Sequence, residues 1–139
     1  MKTLKFDDVE VGDRIPDLVK GPVTRAEIAL FASPSGDHNP IHLDDEAARK
    51  GGLPGVIVHG MLNMAYLGQL LTAIAPQSSL REFGARFLAM AFPGDVITCS
   101  GEVTAKNHEG GENIIELKIA AANQKGEKVL DGAARVALP

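Results

Sequence analysis

MLNMAYLGQLLTAIA, residues 61–75, is the most apolar run of the chain, and how it is read decides the architecture. No Asp, Glu, Lys or Arg occurs between Lys50 and Arg81, so the wider segment resembles a membrane span. Pro54 and Pro76 interrupt it, however, and the part from Met61 to Ala75 is shorter than the ~20 residues a bilayer requires. Asn63, Gln69 and Thr72 also lie within it. These features predict a helix buried in the core of a globular domain.

The flanking patterns say what surrounds that helix. Upstream, TRAEIALFAS has Thr24 three residues ahead of Glu27, a capping-box spacing, and sets Ile28, Phe31 and Ala32 on one helical face. Pro34 should stop this helix near Ser33, because the residue before a proline is disfavoured in the helical region. DDEAARKGG, from Asp44, reads as a second short helix with acids in its first turn, Arg49 and Lys50 in its last, and Gly51 to end it.

Downstream the period switches to two. Phe83, Ala85, Phe87 and Ala89 share a strand face, and PGD at 93–95 makes a turn. VITCSGEV follows as a strand, NHEGGEN as a loop, and then Ile115, Leu117, Ile119 and Ala121 alternate with more polar neighbours. QKGE turns, and VLDGAARVAL completes four successive antiparallel strands. An earlier strand around DRIPDLVK brings the sheet to about five, and the helix from Met61 is the only element apolar enough for that sheet to wrap. The expected fold is therefore α+β, a single hotdog domain over residues 1–139 with an antiparallel sheet curved around a long central helix.

Composition agrees with one self-sufficient domain. A chain of 139 residues buries a core without disulfide or metal support, and 45% apolar with 23% charged residues is the balance of a globular protein. The net charge of −4 and the scattered 14 Lys and Arg exclude a nucleic-acid surface. Cys99 is the single cysteine, and MKTLKFDDVEVGD carries acids where a signal peptide needs an apolar stretch, so the expected location is cytoplasmic and no membrane partner is expected.

SGDHNPIHLDD, residues 35–45, joins the two short helices and concentrates the groups able to exchange protons or bind metal. Pro40 fixes its own backbone and holds Asn39 extended, so Asp37 and His42 sit on a pre-shaped loop. A carboxylate and an imidazole held together in this way can share one water, the first accepting a proton while the second orients the water or supplies a proton. The plain alternative is that Asp37 caps the turn and His42 is a satisfied polar residue entering a helix. The residues alone leave those two readings even.

A metal reading rests on His38 and His42, which have the i, i+4 spacing of a helical zinc pair with Asp44 and Asp45 close by. Pro40 between them removes the need for a shared face, and no third ligand follows in HExxH manner. No metal is expected. His38 reads as a solvent-facing loop residue, and Asp44 and Asp45 as helix-starting acids. Further on, Gly60 falls where the central helix should begin. Its N–H either faces a developing negative oxygen or merely belongs to a tight helix entry, and the spacing fits both. His59 is expected to pack or cap.

SGDHNPIHLDDEAA followed by VHGML resembles the MaoC-type hydratases, the (R)-specific enoyl-CoA hydratases and 3-hydroxyacyl-thioester dehydratases. FDDVEVGD near the start and RFLAMAFPGD extend the likeness over nearly the whole chain. The resemblance implies reversible hydration of trans-2-enoyl thioesters carried on CoA or acyl carrier protein. Asp37 and His42 would be catalytic, Asn39 would orient them, and the Gly60 amide would stabilise the enolate oxygen. No cofactor is implied. Met61, Met64, Tyr66 and Leu67 are candidates for an acyl tunnel or for plain core, and Arg81 and Arg86 for contact with the pantetheine arm or for surface solvation.

Two positions depart from the family pattern, Pro34 in place of an ordinary turn residue and Asn63 where a small hydroxyl residue is common. They bear on substrate preference rather than on Asp37, His42 or Gly60. Open sheet edges predict a homodimer or higher homo-oligomer, or a heterodimer with a related subunit in which this chain is the catalytic member. The rival functions are a hotdog acyl-CoA thioesterase, which would release free thiol, a non-catalytic acyl-binding subunit, and a metal protein.

Overall fold

The computed structural model describes residues 3–139. Its central element is the helix expected from the apolar run: α3 spans Gly60–Thr72 and buries Leu62, Asn63, Tyr66, Leu67, Leu70 and Leu71. It touches all five strands of one antiparallel sheet. The strands are β1 (Arg14–Lys20), β2 (Leu80–Phe87), β3 (Ile97–Glu109), β4 (Glu112–Ala122) and β5 (Lys128–Leu138). Ile97, Cys99, Val103, Ile115, Leu117, Ile119, Ala134 and Val136 point inward from them, and with the α3 leucines they form one continuous core. This is the expected hotdog arrangement. Cys99 belongs to that core, and burial pushes its thiol up to about 12, so it is held as an unreactive SH.

The strand order is β1-β3-β4-β5-β2. β2 therefore does not pair with its successor in sequence; the chain crosses from β2 to β3, and β2 lies at the far edge beside β5, with Ala85 opposite Gly132. Gly132 has room for no side chain, since a Cβ there would fall 2.2 Å from the Gly84 carbonyl oxygen. β1 forms the other edge. Pro16 suits that place because a proline cannot donate to an inner ladder, and the β1–β3 register shifts between Ile15 and Leu18.

Four boundaries differ from expectation. α3 stops at Thr72, short of Ala75, and β2 stops at Phe87, so Ala89 lies beyond it. NHEGGEN is not a loop: β3 and β4 continue through it, with His108 opposite Asn113, and only Gly110 and Gly111 turn the chain. Both have positive φ, 57° and 79°, which is what a two-residue hairpin turn of this twist demands. The first helix, α1, likewise runs past Ser33 and covers Arg25–Ser35 with Pro34 inside its last turn. The carbonyl that Pro34 leaves without a donor is that of Leu30, an exposed residue. The Ser35 hydroxyl donates to the Phe31 carbonyl at 2.6 Å, and Gly36 closes the helix in the left-handed region at φ 70°. Thr24 caps the other end by accepting the Glu27 N–H, as its spacing predicts.

The second short helix, α2 (Asp45–Lys50), begins at Asp44, whose carboxylate accepts the N–H groups of Glu46 and Ala47, and ends at Gly51. Among the described residues no helix is long and apolar enough to cross a membrane.

Candidate active site

Residues 36–44 run between α1 and α2. The left-handed Gly36 turns the chain so that Asp37 leads into the Asn39-Pro40 pair, and the Asn39 N–H donates to Asp37 Oδ1 at 3.3 Å. The Asn39 side chain accepts the Ile41 N–H and so starts a single 3-10 turn, Pro40–His42. Asn39 thus acts on Asp37 through its backbone and on His42 by starting the turn that carries it.

His42 is buried, with 8% exposure, while Asp37 keeps about half of its side chain in solvent. The extended segment before α3 selects the tautomer of the neutral ring. Ile57 donates to the Ile41 carbonyl and Val58 to the Ala91 carbonyl, which fixes the segment on both sides. The Ile57 carbonyl then accepts from His42 Nδ1 at 2.8 Å. A carbonyl can only accept, so the proton of a neutral His42 sits on Nδ1 and Nε2 carries a bare lone pair. That lone pair faces Asp37 Oδ2 at 3.6 Å. Two acceptors do not bond to each other, and the spacing suits a water that donates one hydrogen to each.

His59 packs rather than caps. Its ring stacks on His42 with centroids 3.8 Å apart and 24° between planes, and its Nε2–H donates to the Asp37 main-chain carbonyl at 3.0 Å. Since the ring is used there, α3 has no side-chain cap. The N–H of Gly60, the first helical residue, is therefore one of the unpaired donors at the positive end of a 13-residue helix. His59 also sets the spacing, because it touches Asp37 and His42 and immediately precedes Gly60.

Gly60 has a steric role too. A Cβ there would lie 2.9 Å from two ring atoms of Phe87, so the glycine lets the end of β2 close over the helix entry. A cavity of about 360 Å³ opens at this contact, lined by Gly60, Asn63, Phe87, Met90 and Ala91 among others. Of the residues proposed for an acyl tunnel, none lines it: Tyr66 and Leu67 belong to the core, Met64 packs against that core, and Met61 faces outward. The Tyr66 hydroxyl donates to Glu27 at 2.6 Å, and burial first, then this carboxylate, raise its pKa. Arg81 is engaged elsewhere, in an ion pair with Glu112. Arg86 lies on a different concavity, with Lys118 and Arg135 on the far face of the sheet.

His38 is exposed and His42 buried, so the i, i+4 pair does not share a face. A different trio, Asp37, His42 and His59, brings ligand-type atoms within 4.8 Å of one another. A metal must lie in the plane of each imidazole at ~2.1 Å from its nitrogen. Stacked rings 3.8 Å apart do not converge on such a point.

Asp45 does more than start a helix. Its carboxylate accepts the Val56 N–H at 2.9 Å and pairs with Arg25, two contacts that lower its pKa in that order and tie α1 and α2 to the segment that orients His42. Sequence spacing does not reveal this use of Asp45, nor the Ile57 carbonyl, the Phe87 contact or the stacking of His59. Each depends on segments far apart in the chain.

The fold and site together define a hotdog protein with a carboxylate–imidazole pair beside the uncapped start of its central helix. The chain belongs to the MaoC-like family, whose profile, described as MaoC like domain, matches residues 9–124. It is 35% identical over 116 residues to the (R)-specific enoyl-CoA hydratase of Aeromonas caviae, covering 82% of this chain and 85% of that protein. The solved (R)-hydratase from A. caviae involved in PHA biosynthesis has a TM-score of 0.84, with 34% identity over 94% of this chain and 98% of that one. The chain is also 39% identical over 113 residues, 78% of its length, to the fatty acid synthase subunit beta of Aspergillus oryzae, and spans 5% of that much longer protein.

Proposed function

We propose that the chain hydrates trans-2-enoyl thioesters of CoA or acyl carrier protein to (R)-3-hydroxyacyl thioesters and catalyses the reverse dehydration. The observation that carries this reading is the pair of facing acceptors, Asp37 Oδ2 and His42 Nε2, 3.6 Å apart and committed to no bond with each other. A water donating to both presents its oxygen lone pair to the β-carbon. As the carbon–oxygen bond forms, one water proton passes to the pair and the electrons of the double bond move to the α-carbon and thioester oxygen. A proton from the pair then goes to the α-carbon, and the sum is one water added. The Gly60 N–H stabilises the oxygen while it is negative. These steps use only this chain's groups, since the thioester itself acidifies the α-carbon. Loss of enoyl-thioester absorbance on adding the protein to crotonyl-CoA tests the activity. Release of free thiol instead would indicate a thioesterase.

Gly60→Ala tests the oxyanion role separately. The added methyl pushes against the half-exposed Phe87 ring, which swings aside, so the variant folds. The thioester oxygen is then held away from the amide. A fall in kcat/KM of about 100-fold is expected, the scale of a 1 Å misplacement. An unchanged value would remove Gly60 from the mechanism.

The working unit in this reading is a pair of chains. β1 and β2 are open edges, and Phe87, Leu88 and Met90 leave large apolar surfaces at the cavity rim, each roughly half exposed. A second copy, or a related subunit to which this chain supplies the catalytic pair, would cover them. Sedimentation of the purified chain should report two copies per particle, and a monomer at every concentration would contradict a homodimer.

A further inference from the structure

Asp44 and Asp45 both stand at the start of α2, yet only the first serves the helix cap. The Asp44 carboxylate accepts the N–H groups of Glu46 and Ala47. Asp45 instead directs its carboxylate to other segments: Oδ1 accepts the Val56 N–H at 2.9 Å, and Arg25 Nη2 donates to Oδ2 at 2.8 Å. Gly55 leaves room for this approach, since a Cβ there would lie 3.1 Å from Asp45 Oδ1. From Val56 the chain runs to the start of α3, and on the way it presents the Ile57 carbonyl to His42 Nδ1 at 2.8 Å and the His59 ring to Asp37 and His42.

Three consecutive main-chain N–H groups anchor that segment. Ile57 and Val58 donate to the carbonyls of Ile41 and Ala91, which side-chain substitutions leave in place. The Val56 N–H is the one held by a side chain, that of Asp45. It is also the anchor next to GGLPG, residues 51–55, where glycines give the backbone wide conformational freedom. A segment released at Val56 therefore loosens from that end.

We infer that Asp45 is a positioning residue for His42: by holding the Val56 N–H it fixes the segment whose Ile57 carbonyl keeps the proton of the neutral ring on Nδ1 and leaves Nε2 bare to face Asp37. Its part in the reaction rests on the hydratase reading above, whereas its hold on the His42 tautomer does not. Once Val56 is released, the Ile57 carbonyl no longer stays on Nδ1, and the imidazole divides its proton between the two nitrogens. In the molecules with the proton on Nε2, the ring donates to Asp37 directly, and the pair of facing acceptors that would share a water is lost.

Two substitutions separate the contacts. Asp45→Ala removes the acceptor, and it should fold, because Asp44 still caps α2 and alanine favours helix. Asp45→Asn keeps an acceptor, since its amide oxygen takes the Val56 N–H while Arg25, more than half exposed, swings into solvent. At about pH 8, where imidazoles are ordinarily neutral, the ring 15N spectrum should show one His42 tautomer, protonated on Nδ1, in the native chain and in Asp45→Asn. The His42 signals are assigned by their loss in His42→Ala. Asp45→Ala should show both tautomers. With crotonyl-CoA, Asp45→Ala should lose about 10- to 100-fold in kcat with KM little changed, the scale of a misplacement of up to ~1 Å, while Asp45→Asn stays within about 3-fold of native. A purely structural Asp45 would lower the melting temperature of Asp45→Ala and leave the ring spectrum native, which overturns the inference. Native kcat in Asp45→Ala, from a chain that hydrates crotonyl-CoA, overturns it too, as does an Asp45→Asn chain as impaired as Asp45→Ala. The expected tautomer change in Asp45→Ala, with no hydration by the native chain, would uphold the positioning of His42 and reject the hydratase reading.

Discussion

Asp37→Asn and His42→Ala are each expected to lower kcat/KM for crotonyl-CoA hydration by about 100- to 10,000-fold, the range for loss of a general acid or base. Asparagine nearly keeps the shape of Asp37, but its amide N–H donates to the bare Nε2 of His42 across the present 3.6 Å gap and closes the place where the water would sit. Asp37 is half-exposed, so stability should move by less than about 0.5 kcal/mol. His42→Ala differs in that the Ile57 carbonyl loses its donor and a stacked ring beside His59 disappears. About 1–3 kcal/mol of stability should go with it. The double variant is expected to be no worse than the poorer single one, because both groups serve one water. Full additivity of the two losses in log kcat/KM, or native activity in either single variant, would refute the shared-water mechanism.

The loop was legible in the sequence because its geometry is local. Pro40 and Asn39 restrain their own neighbours, and a string of eleven residues from Ser35 to Asp45 holds the carboxylate and the imidazole together. The tautomer of a neutral His42 was not legible, since it is set by the Ile57 carbonyl fifteen residues away. Asn63 was visible only as a departure from a family pattern. That its oxygen is buried without a partner among the described residues follows from how β2 and the segment before α3 close around it.

The same division holds for the fold. Alternation in β3 to β5 and the charge-free helix are properties of short windows, and they gave the correct layers. The place of β2 was hidden: nothing in LREFGARF names β5 as its partner, and the clearest physical mark is Gly132, whose missing side chain admits the Gly84 carbonyl. The end of α1 differs from its sequence expectation because side chains there overrule a backbone rule. Proline at 34 disfavours helix, yet Ser35 and Gly36 supply the bonds and the left-handed turn that carry α1 past it.

Leu67→Ala is expected to destabilise the protein by about 2–5 kcal/mol, a large share of the ~5–15 kcal/mol that holds a domain of this kind together. Leu67 is fully buried at mid-helix, beneath the sheet, and neighbouring side chains are too well packed to fill the vacated space. Met61→Ala, on the same helix but 55% exposed, should cost under about 0.5 kcal/mol in the isolated chain. Urea midpoints at constant slope measure both. The contrast discriminates between readings of the apolar run. A helix lying on a membrane or against a partner would depend on its outward residue and tolerate change at the inward one, giving the reverse order. A helix wrapped by the sheet must lose stability at Leu67 and not at Met61.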